Sequence, residues 1–298
     1  GRRYALCAMR HALGVSSCLC VFVAIICFVL ISCEIINPPE QIPSYIRISN
    51  IDFDPMDNGS SSHKIVDAWL EVDNEIIGTF ELPATIPVLK QGTKKVVIYA
   101  GVYRDGIKGL RVIYPFYTNY DSMRTLVAST IDTINPVINY DSTVIFPFNE
   151  EDFESGTIFI KTSDNSPMDI VNNADPLYFN EGGNKIGLIT AAKGDILDIE
   201  VTTSGIGYAL PKTIVYLEII FKSNMNLTAG LYATGTPVVL IEKLVLFPAD
   251  QWKKIYINLT DEIASQPNGA TFNVFFKAAS LGDKDYYIAL DNIKLIHF

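Results

Sequence analysis

The stretch DAWLEVDNEIIGTFELPATIPVLKQGTKKVVIYAGV, residues 67–102, decides how this chain is expected to fold. Apolar and polar residues alternate along Ile65–Val72, Glu75–Glu81 and Lys95–Val102, and a period of two is typical of strands with one buried face. Asp73-Asn74, between the first two runs, has the composition of a tight hairpin turn. The stretch therefore predicts strands joined by turns rather than helices.

The same pattern extends outward from this stretch in both directions. After residue 44 the chain consists of short alternating runs separated by turn residues, and helical periodicity is nearly absent. A polar break, Asn149–Asp152, follows the apolar run Thr143–Phe148, and we interpret it as a solvated linker. The sequence thus predicts an all-β fold with two β-sandwich domains, residues 45–148 and 149–298, the second with enough short strands for a two-sheet jelly roll.

Two resemblances sharpen this division. Residues 67–102 resemble a PEGA-type or related Ig-like module, in which a strand and turn (VDNEIIGT) lead through a Pro-containing crossover (LPATIPVL) to an apolar strand (VVIYAGV). The second half opens with DFESGTI (Asp152–Ile158) and closes with YYIALDNIKLI (Tyr286–Ile296). It is similar to carbohydrate-binding-module-like jelly rolls, also called galactose-binding-domain-like. Both resemblances imply modules that recognise or space rather than react.

The first 33 residues predict export and a lipid anchor. Met9 and Arg10 precede an uncharged apolar segment, Leu13–Ser32, as in a secretory signal, and we take Met9 as the true start. The segment ends in Leu30-Ile31-Ser32-Cys33, which resembles a bacterial lipobox. The resemblance implies a signal peptide over residues 1–32, removal before Cys33, lipidation of its thiol, and a Pro-rich tether over 33–44. The alternative is an uncleaved transmembrane helix, since twenty apolar residues can span a bilayer.

The whole chain also resembles uncharacterised envelope lipoproteins of the Bacteroidota, which pair a lipobox with such β-domains. This resemblance implies a cell-envelope location, with the membrane as a partner through the anchor. Glu34 does not match the Asp that signals inner-membrane retention in some bacteria, so we expect the outer membrane, on its periplasmic or its surface face.

Composition excludes several classes of function. All five cysteines lie in the first 33 residues, so the body of the chain has neither a disulfide framework nor a thiolate metal site. The formal net charge is −10, and the arginines of the first 32 residues have no acidic counterpart there, which leaves the body more acidic still. Such a surface repels nucleic acid, and we expect no nucleic-acid partner.

The sequence also argues against catalysis. The body has only two histidines, His63 in a Ser-rich loop and the penultimate His297, and no nucleophile or phosphate-loop motif. We therefore predict that the protein is not an enzyme but a binding or scaffold module for a glycan or a protein of the envelope. The alternative is an envelope glycan-processing enzyme or an accessory subunit of one.

Aromatic residues give the candidate ligand contacts. Tyr114, Phe116, Tyr117 and Tyr120 lie within seven residues, VIYPFYTNY, and such rings can stack on sugars or on protein partners. The alternative is that these rings fill a sandwich core. We interpret the two tryptophans of the body, Trp69 and Trp252, as core anchors.

The jelly-roll resemblance further implies a structural Ca²⁺ that joins the first and last strands. Glu154 and Asp291 stand at the matching positions, and Ca²⁺ would need additional oxygens, such as backbone carbonyls and Asp152. The alternative is that both carboxylates cap strand ends in water. No other cofactor is expected.

Overall fold

Strands dominate the part of the chain that the structure describes. The computed structural model describes residues 40–162, 168–172 and 185–298. The strands are β1 Ser44–Ile48, β2 Asp52–Phe53, β3 Asp67–Val72, β4 Glu75–Glu81, β5 Ala84–Val88, β6 Gly92–Tyr103, β7 Arg111–Ile113, β8 Tyr120–Leu126, β9 Ile131–Ile134, β10 Val137–Ile138, β11 Phe159–Lys161, β12 Met168–Asn172, β13 Lys185–Ala191, β14 Asp198–Thr203, β15 Tyr208–Ala209, β16 Val215–Ser223, β17 Leu227–Ala233, β18 Val239–Leu246, β19 Ala249–Asn258, β20 Thr271–Ala279 and β21 Tyr286–His297, with one short helix, α1 Thr260–Ala264. The all-β prediction is confirmed.

The N-terminal half, up to residue 148, contains three sheets. The largest has the order β4-β3-β6-β7, with β8 paired to another part of the long strand β6. The others are β5-β1-β9, in which β1 and β9 run parallel, and the parallel pair β10-β2. The hairpin predicted at Asp73-Asn74 joins β3 to β4, and both turn residues have positive φ, as a tight two-residue hairpin requires.

The C-terminal half is a sandwich of two sheets, as predicted. One sheet has the order β11-β14-β20-β17-β18, with β15 on β20, and the other has the order β12-β13-β21-β16-β19. Apolar side chains from both sheets form one large core between them. The strands β18 and β19 stand at the same end of the two orders, and the chain crosses from one sheet to the other through Phe247 and Pro248.

The strand β16 is buried on both faces. Leu217 and Ile219 point into the core of the C-terminal sandwich, whereas Tyr216 belongs to the core of the N-terminal half. Tyr256 on β19 and Ile296 on β21 join that second core too. The outer face of the sheet β12-β13-β21-β16-β19 is therefore covered by the N-terminal half, and the described residues from Ser44 to Phe298 form one compact unit. The division into two domains at residue 149 stays a prediction.

The polar break before the second half is not a solvated linker. Glu151 is buried, and its carboxylate accepts the N–H groups of Phe153 (3.0 Å) and Ile158 (2.6 Å) and the hydroxyl of Thr157 (3.0 Å). Glu150 forms an ion pair with the buried Lys294 at 3.3 Å. The interpretation of this acidic run as solvent-exposed was wrong because both carboxylates have partners that become neighbours only in the folded chain.

Candidate binding groove

A groove of about 1010 Å³ lies between the two halves. The N-terminal half contributes the loop Ser61–Lys64 and the turn that follows Tyr103. The C-terminal half contributes residues Leu244–Phe247, at the end of β18, and Trp252–Tyr256 of β19. The groove thus runs along the edge where the two sheets of the C-terminal sandwich separate.

Three of the six Phe, Tyr and Trp side chains that line this groove are at least partly exposed. Phe247 is 72% exposed because it stands in the crossing between β18 and β19, where no sheet covers it. Trp252 is half-buried and lies in an irregular part of β19, where the residues between Ala249 and Lys253 face a single residue of β16. A bulge of this kind re-aims side chains. Tyr103, also half-buried, comes from the end of β6.

The turn after Tyr103 is fastened to β19. Asp105 donates its N–H to the carbonyl of Tyr256 (2.8 Å), and its carboxylate accepts the N–H of Asn258 (2.8 Å). The positive φ of Asp105 and of Gly106 allows the chain to reverse here. The groove is therefore walled on one side by a turn whose backbone is fixed to the opposite half.

A buried charge network lies behind the groove. The carboxylate of Glu218 pairs with the Nζ of Lys254 at 2.6 Å and accepts hydrogen bonds from the hydroxyls of Tyr114 (2.7 Å) and Tyr140 (3.1 Å). Both charged side chains are almost fully buried. Glu218 and Lys254 come from the C-terminal sandwich and the tyrosines from the N-terminal half, so the network joins the two halves directly.

The network determines the charge state of Glu218. Burial alone would raise the pKa of this carboxyl, but Lys254 and Lys294 together with the hydrogen bonds hold the pKa below its ordinary value. Burial has the opposite consequence for Lys294, whose pKa it lowers. We conclude that Glu218 is ionised in the folded protein and that its charge is compensated within the junction.

The aromatic cluster singled out in the sequence lies mostly in the core. Tyr114 and Phe116 are fully buried and Tyr117 is 8% exposed, while Tyr120 is half-buried at the start of β8. The ring of Tyr114 packs edge-on against Tyr117 and Tyr216. In this structure the first three rings have no open face for a ligand, which corresponds to the alternative that they fill a core.

The structure instead brings other aromatic residues to the groove. The interpretation of Trp252 as a core anchor was wrong, because the tryptophan is half-buried in the groove. Trp69 is half-buried too and is not among the buried core residues. Phe247 was not singled out at all. The signal that could have identified it is its position before Pro248, where a strand has to end and a large apolar side chain loses its cover.

The two carboxylates proposed for calcium lie near each other. Asp291 is buried and accepts the N–H of Asn292 (2.8 Å); burial, together with the neighbouring Glu150, Asp152 and Glu154, raises its pKa to about 8. The carboxylate of Glu154 accepts the N–H of Lys185 at 2.7 Å. Among the described residues no group of three Asp, Glu, His or Cys side chains is arranged to hold a metal ion.

The predicted lipidation site, Cys33, lies outside the described residues, as do the signal peptide and most of the tether. Within residues 40–162, 168–172 and 185–298, no helix has the length and hydropathy needed to span a membrane.

Comparisons with known proteins give distant matches among solved structures only. No protein-family model matches the sequence, and a search of curated proteins found no match. Among solved structures, the chain is similar to a carbohydrate-binding module of the β-sandwich superfamily, with a TM-score of 0.41 and 14% identity over 86% of this chain and 99% of that chain. A CBM4 structure gives a TM-score of 0.33 and 11% identity over 48% and 97%. The K2 cleaved adhesin domain of Lys-gingipain gives 0.35 and 14% over 49% and 97%.

Proposed function

We propose that this protein is a non-catalytic binding protein that holds a glycan chain in the groove between its two halves. The observation that carries the proposal is the pair of Phe247, 72% exposed, and Trp252, both lining a concavity of about 1010 Å³. A large aromatic ring left in water next to a concave surface is unfavourable unless something covers it.

The chemistry of the lining suits a sugar better than a purely apolar ligand. The faces of Trp252 and Tyr103 can stack on the C–H face of a pyranose ring. Ser61, Ser62 and Lys253 supply hydroxyl and ammonium groups on the same lining, and a few such polar groups among aromatic side chains orient a ligand. An open groove rather than a closed pocket would admit an internal segment of a long chain.

Replacing Trp252 with alanine is expected to weaken glycan binding by at least about 30-fold, since a central aromatic contact contributes about 2 kcal/mol or more. Isothermal titration calorimetry with xylohexaose, cellohexaose and β-1,4-galactotriose would measure the affinities. Phe247→Ala should also weaken glycan binding. Trp69→Ala is the matched control, because Trp69 is also half-buried but lies on β3 and does not line the groove.

Two results would reject this site. Equal losses in Trp252→Ala and Trp69→Ala would show a general effect on the fold, and undiminished binding by Trp252→Ala would place the sugar elsewhere. Failure of the wild type to bind any oligosaccharide of the panel would reject the site for neutral glycans of these types.

A protein partner is the second candidate, and one observation favours it. The edge strand β18 exposes Val239, Leu240 and Val245 by 40–45%. An edge strand with exposed apolar side chains can pair with an extended segment of another protein. Cross-linking in envelope extracts, compared between the wild type and Leu240→Lys, distinguishes this candidate from glycan binding.

The enzyme alternative would require two carboxylates on opposite sides of the scissile bond. The groove contains Asp52 and Asp105, and the carboxylate of Asp105 already accepts the N–H of Asn258 at 2.8 Å. A carboxylate with this hydrogen bond stabilises the turn in which it lies. We therefore propose binding rather than hydrolysis. Release of reducing sugar by the wild type but not by Asp105→Asn would overturn the non-catalytic assignment.

The anchor remains part of the proposal. We expect Cys33→Ala to abolish incorporation of a palmitate analogue and to release the protein from the outer-membrane fraction. Several acyl chains on one residue give stable anchoring, since each buried CH₂ contributes about 0.8 kcal/mol. Cys27→Ala, another cysteine of the apolar segment, is the control and should label normally; unchanged labelling of Cys33→Ala would contradict lipidation.

Calcium also stays a prediction. If an ion binds next to Glu154 and Asp291, saturating Ca²⁺ should raise the melting temperature and EGTA should lower it again, because an ion that binds only the folded state stabilises it. Asp291→Asn should lose this response. Identical melting curves with Ca²⁺ and with EGTA would remove the ion from the proposal.

A further inference from the structure

One wall of the groove belongs to one half of the protein but is held in place by the other. The loop Ser60–Lys64 extends from the N-terminal half, and four of its five residues line the groove. The backbone N–H groups at the two ends of the loop donate to side chains outside it. Ser60 donates to the Oε2 of Glu150 at 2.8 Å, and Lys64 donates to the hydroxyl of Tyr256 at 2.9 Å.

Both acceptors are immobilised by contacts of their own. Tyr256 is 1% exposed, its ring packs at 4.7 Å from that of Tyr114, and its hydroxyl lies 3.1 Å from the hydroxyl of Tyr117. Glu150 is held by its ion pair with Lys294. The loop is thus tied at both ends to groups that cannot move without disturbing the junction.

Packing adds to the hydrogen bonds at the Glu150 end. The backbone of Gly59 lies directly on the Glu150 carboxylate, since a Cβ built on this glycine would overlap that side chain. Gly59 also has a φ of +86°, which side chains other than glycine rarely adopt. The approach of the loop to Glu150 therefore depends on both the carboxylate and the glycine.

We propose that Tyr256 and Glu150 are positioning residues for the groove. Tyr256 borders the groove but is 1% exposed, and both side chains act by fixing the loop that forms the wall. The inference rests on the proposed function, because it concerns how that groove is kept ready to bind. A wall that is ordered before the ligand arrives spares the complex the entropy of ordering it, and this improves affinity.

The first test does not depend on any ligand. In Tyr256→Phe the ring and its packing stay but the acceptor for Lys64 is lost, so hydrogen exchange of the peptide 58–66, followed by mass spectrometry, should become at least about tenfold faster. Glu150→Gln, which keeps an acceptor oxygen for Ser60, should show a smaller increase. Tyr114→Phe is the control: it removes a junction hydrogen bond to Glu218 but none to the loop.

The second test measures affinity. Tyr256→Phe should bind the tightest oligosaccharide of the calorimetric panel about tenfold more weakly, whereas Tyr232→Phe, which loses a hydrogen bond to Glu200 outside the groove, should bind like the wild type. Unchanged exchange in Tyr256→Phe would overturn the positioning role. So would faster exchange without a loss of affinity, or an equal effect in Tyr114→Phe.

These outcomes are distinct from a failure of the proposed function. If the wild type binds no oligosaccharide, the exchange experiment still decides whether Tyr256 and Glu150 position the loop. If the wild type binds and Trp252→Ala does not, but Tyr256→Phe is unaffected, the groove is the binding site and the positioning role is wrong.

Discussion

Replacing Glu218 with glutamine is expected to destabilise the protein by about 3–5 kcal/mol, the range found when one partner of a buried ion pair is removed. The variant leaves the ammonium groups of Lys254 and Lys294 buried, with Glu150 as the remaining carboxylate that pairs with either. Urea denaturation followed by tryptophan fluorescence would measure the loss. A loss below about 1 kcal/mol would show that the network contributes little.

Two further variants separate charge from packing. Glu218→Met combined with Lys254→Met removes both charges and keeps similar volumes, so it should recover about half of the loss. Glu200→Gln, which alters a carboxylate with hydrogen bonds to Tyr232 and Thr162 on the other sheet, should change stability by no more than about 1 kcal/mol.

The same network predicts a pH dependence. Because the folded pKa of Glu218 lies below the ordinary value of 4.5, its contribution to stability is present above pH 4.5 and is lost as the pH falls through the folded pKa. The difference in unfolding free energy between the wild type and Glu218→Gln should therefore shrink at acid pH. A constant difference from pH 7 to pH 3 would contradict this sign.

Replacing Gly230 with alanine is expected to destabilise the protein by about 3 kcal/mol, near the upper end for overpacking. Gly230 pairs with Phe275 across β17 and β20, and the ring atoms of Phe275 lie 2.6 Å from the position of an added Cβ. The carbonyl oxygen of Ile241 on β18 lies closer still. Backbone on one side and a fully buried ring on the other leave no direction in which the methyl group can be accommodated.

Gly109→Ala is the matched control, because no atom lies within 4 Å of its added Cβ. It should be neutral or slightly stabilising, by up to about 1 kcal/mol. Thermal melting of both variants would measure the contrast. A Gly230→Ala protein as stable as the Gly109→Ala protein would mean that β17 and β18 can separate without loss.

The sequence predicted the bounds of some strands closely. The run Glu75–Glu81 corresponds to β4 without any shift, and Tyr286–Ile296 corresponds to β21 within one residue. In both cases a run rich in β-branched and aromatic residues is bounded by turn residues, which is typical of a strand. The sequence also showed almost no helical periodicity, and the described residues contain only the short helix α1.

The candidate site could not be predicted in the same way. Lys254 and Lys294 interrupt apolar runs, and a local pattern assigns such residues to the solvent. In the structure that face is covered by the N-terminal half, whose Tyr114 and Tyr140 bind Glu218 of β16, and Glu218 pairs with Lys254. The contact between the two halves also buries Tyr114 and Phe116. The groove residues Trp252 and Phe247 stay at least partly exposed because the two sheets separate beside them. Whether the outer face of a sheet is covered by another part of the chain depends on tertiary packing. The alternation of residues along a strand does not reveal it.

The contribution of Ile296 to the N-terminal core has a consequence for the order in which the protein can assemble. Ile46 and Ile296 belong to the same core, although about 250 residues separate them, and contacts over such distances slow folding. While the chain is being synthesised or exported from its N-terminal end, the core of the first half is incomplete, because Tyr216, Tyr256 and Ile296 are not yet in place. During that interval its apolar face is exposed to other chains, so we expect a cell to shield this intermediate until the last strand has arrived.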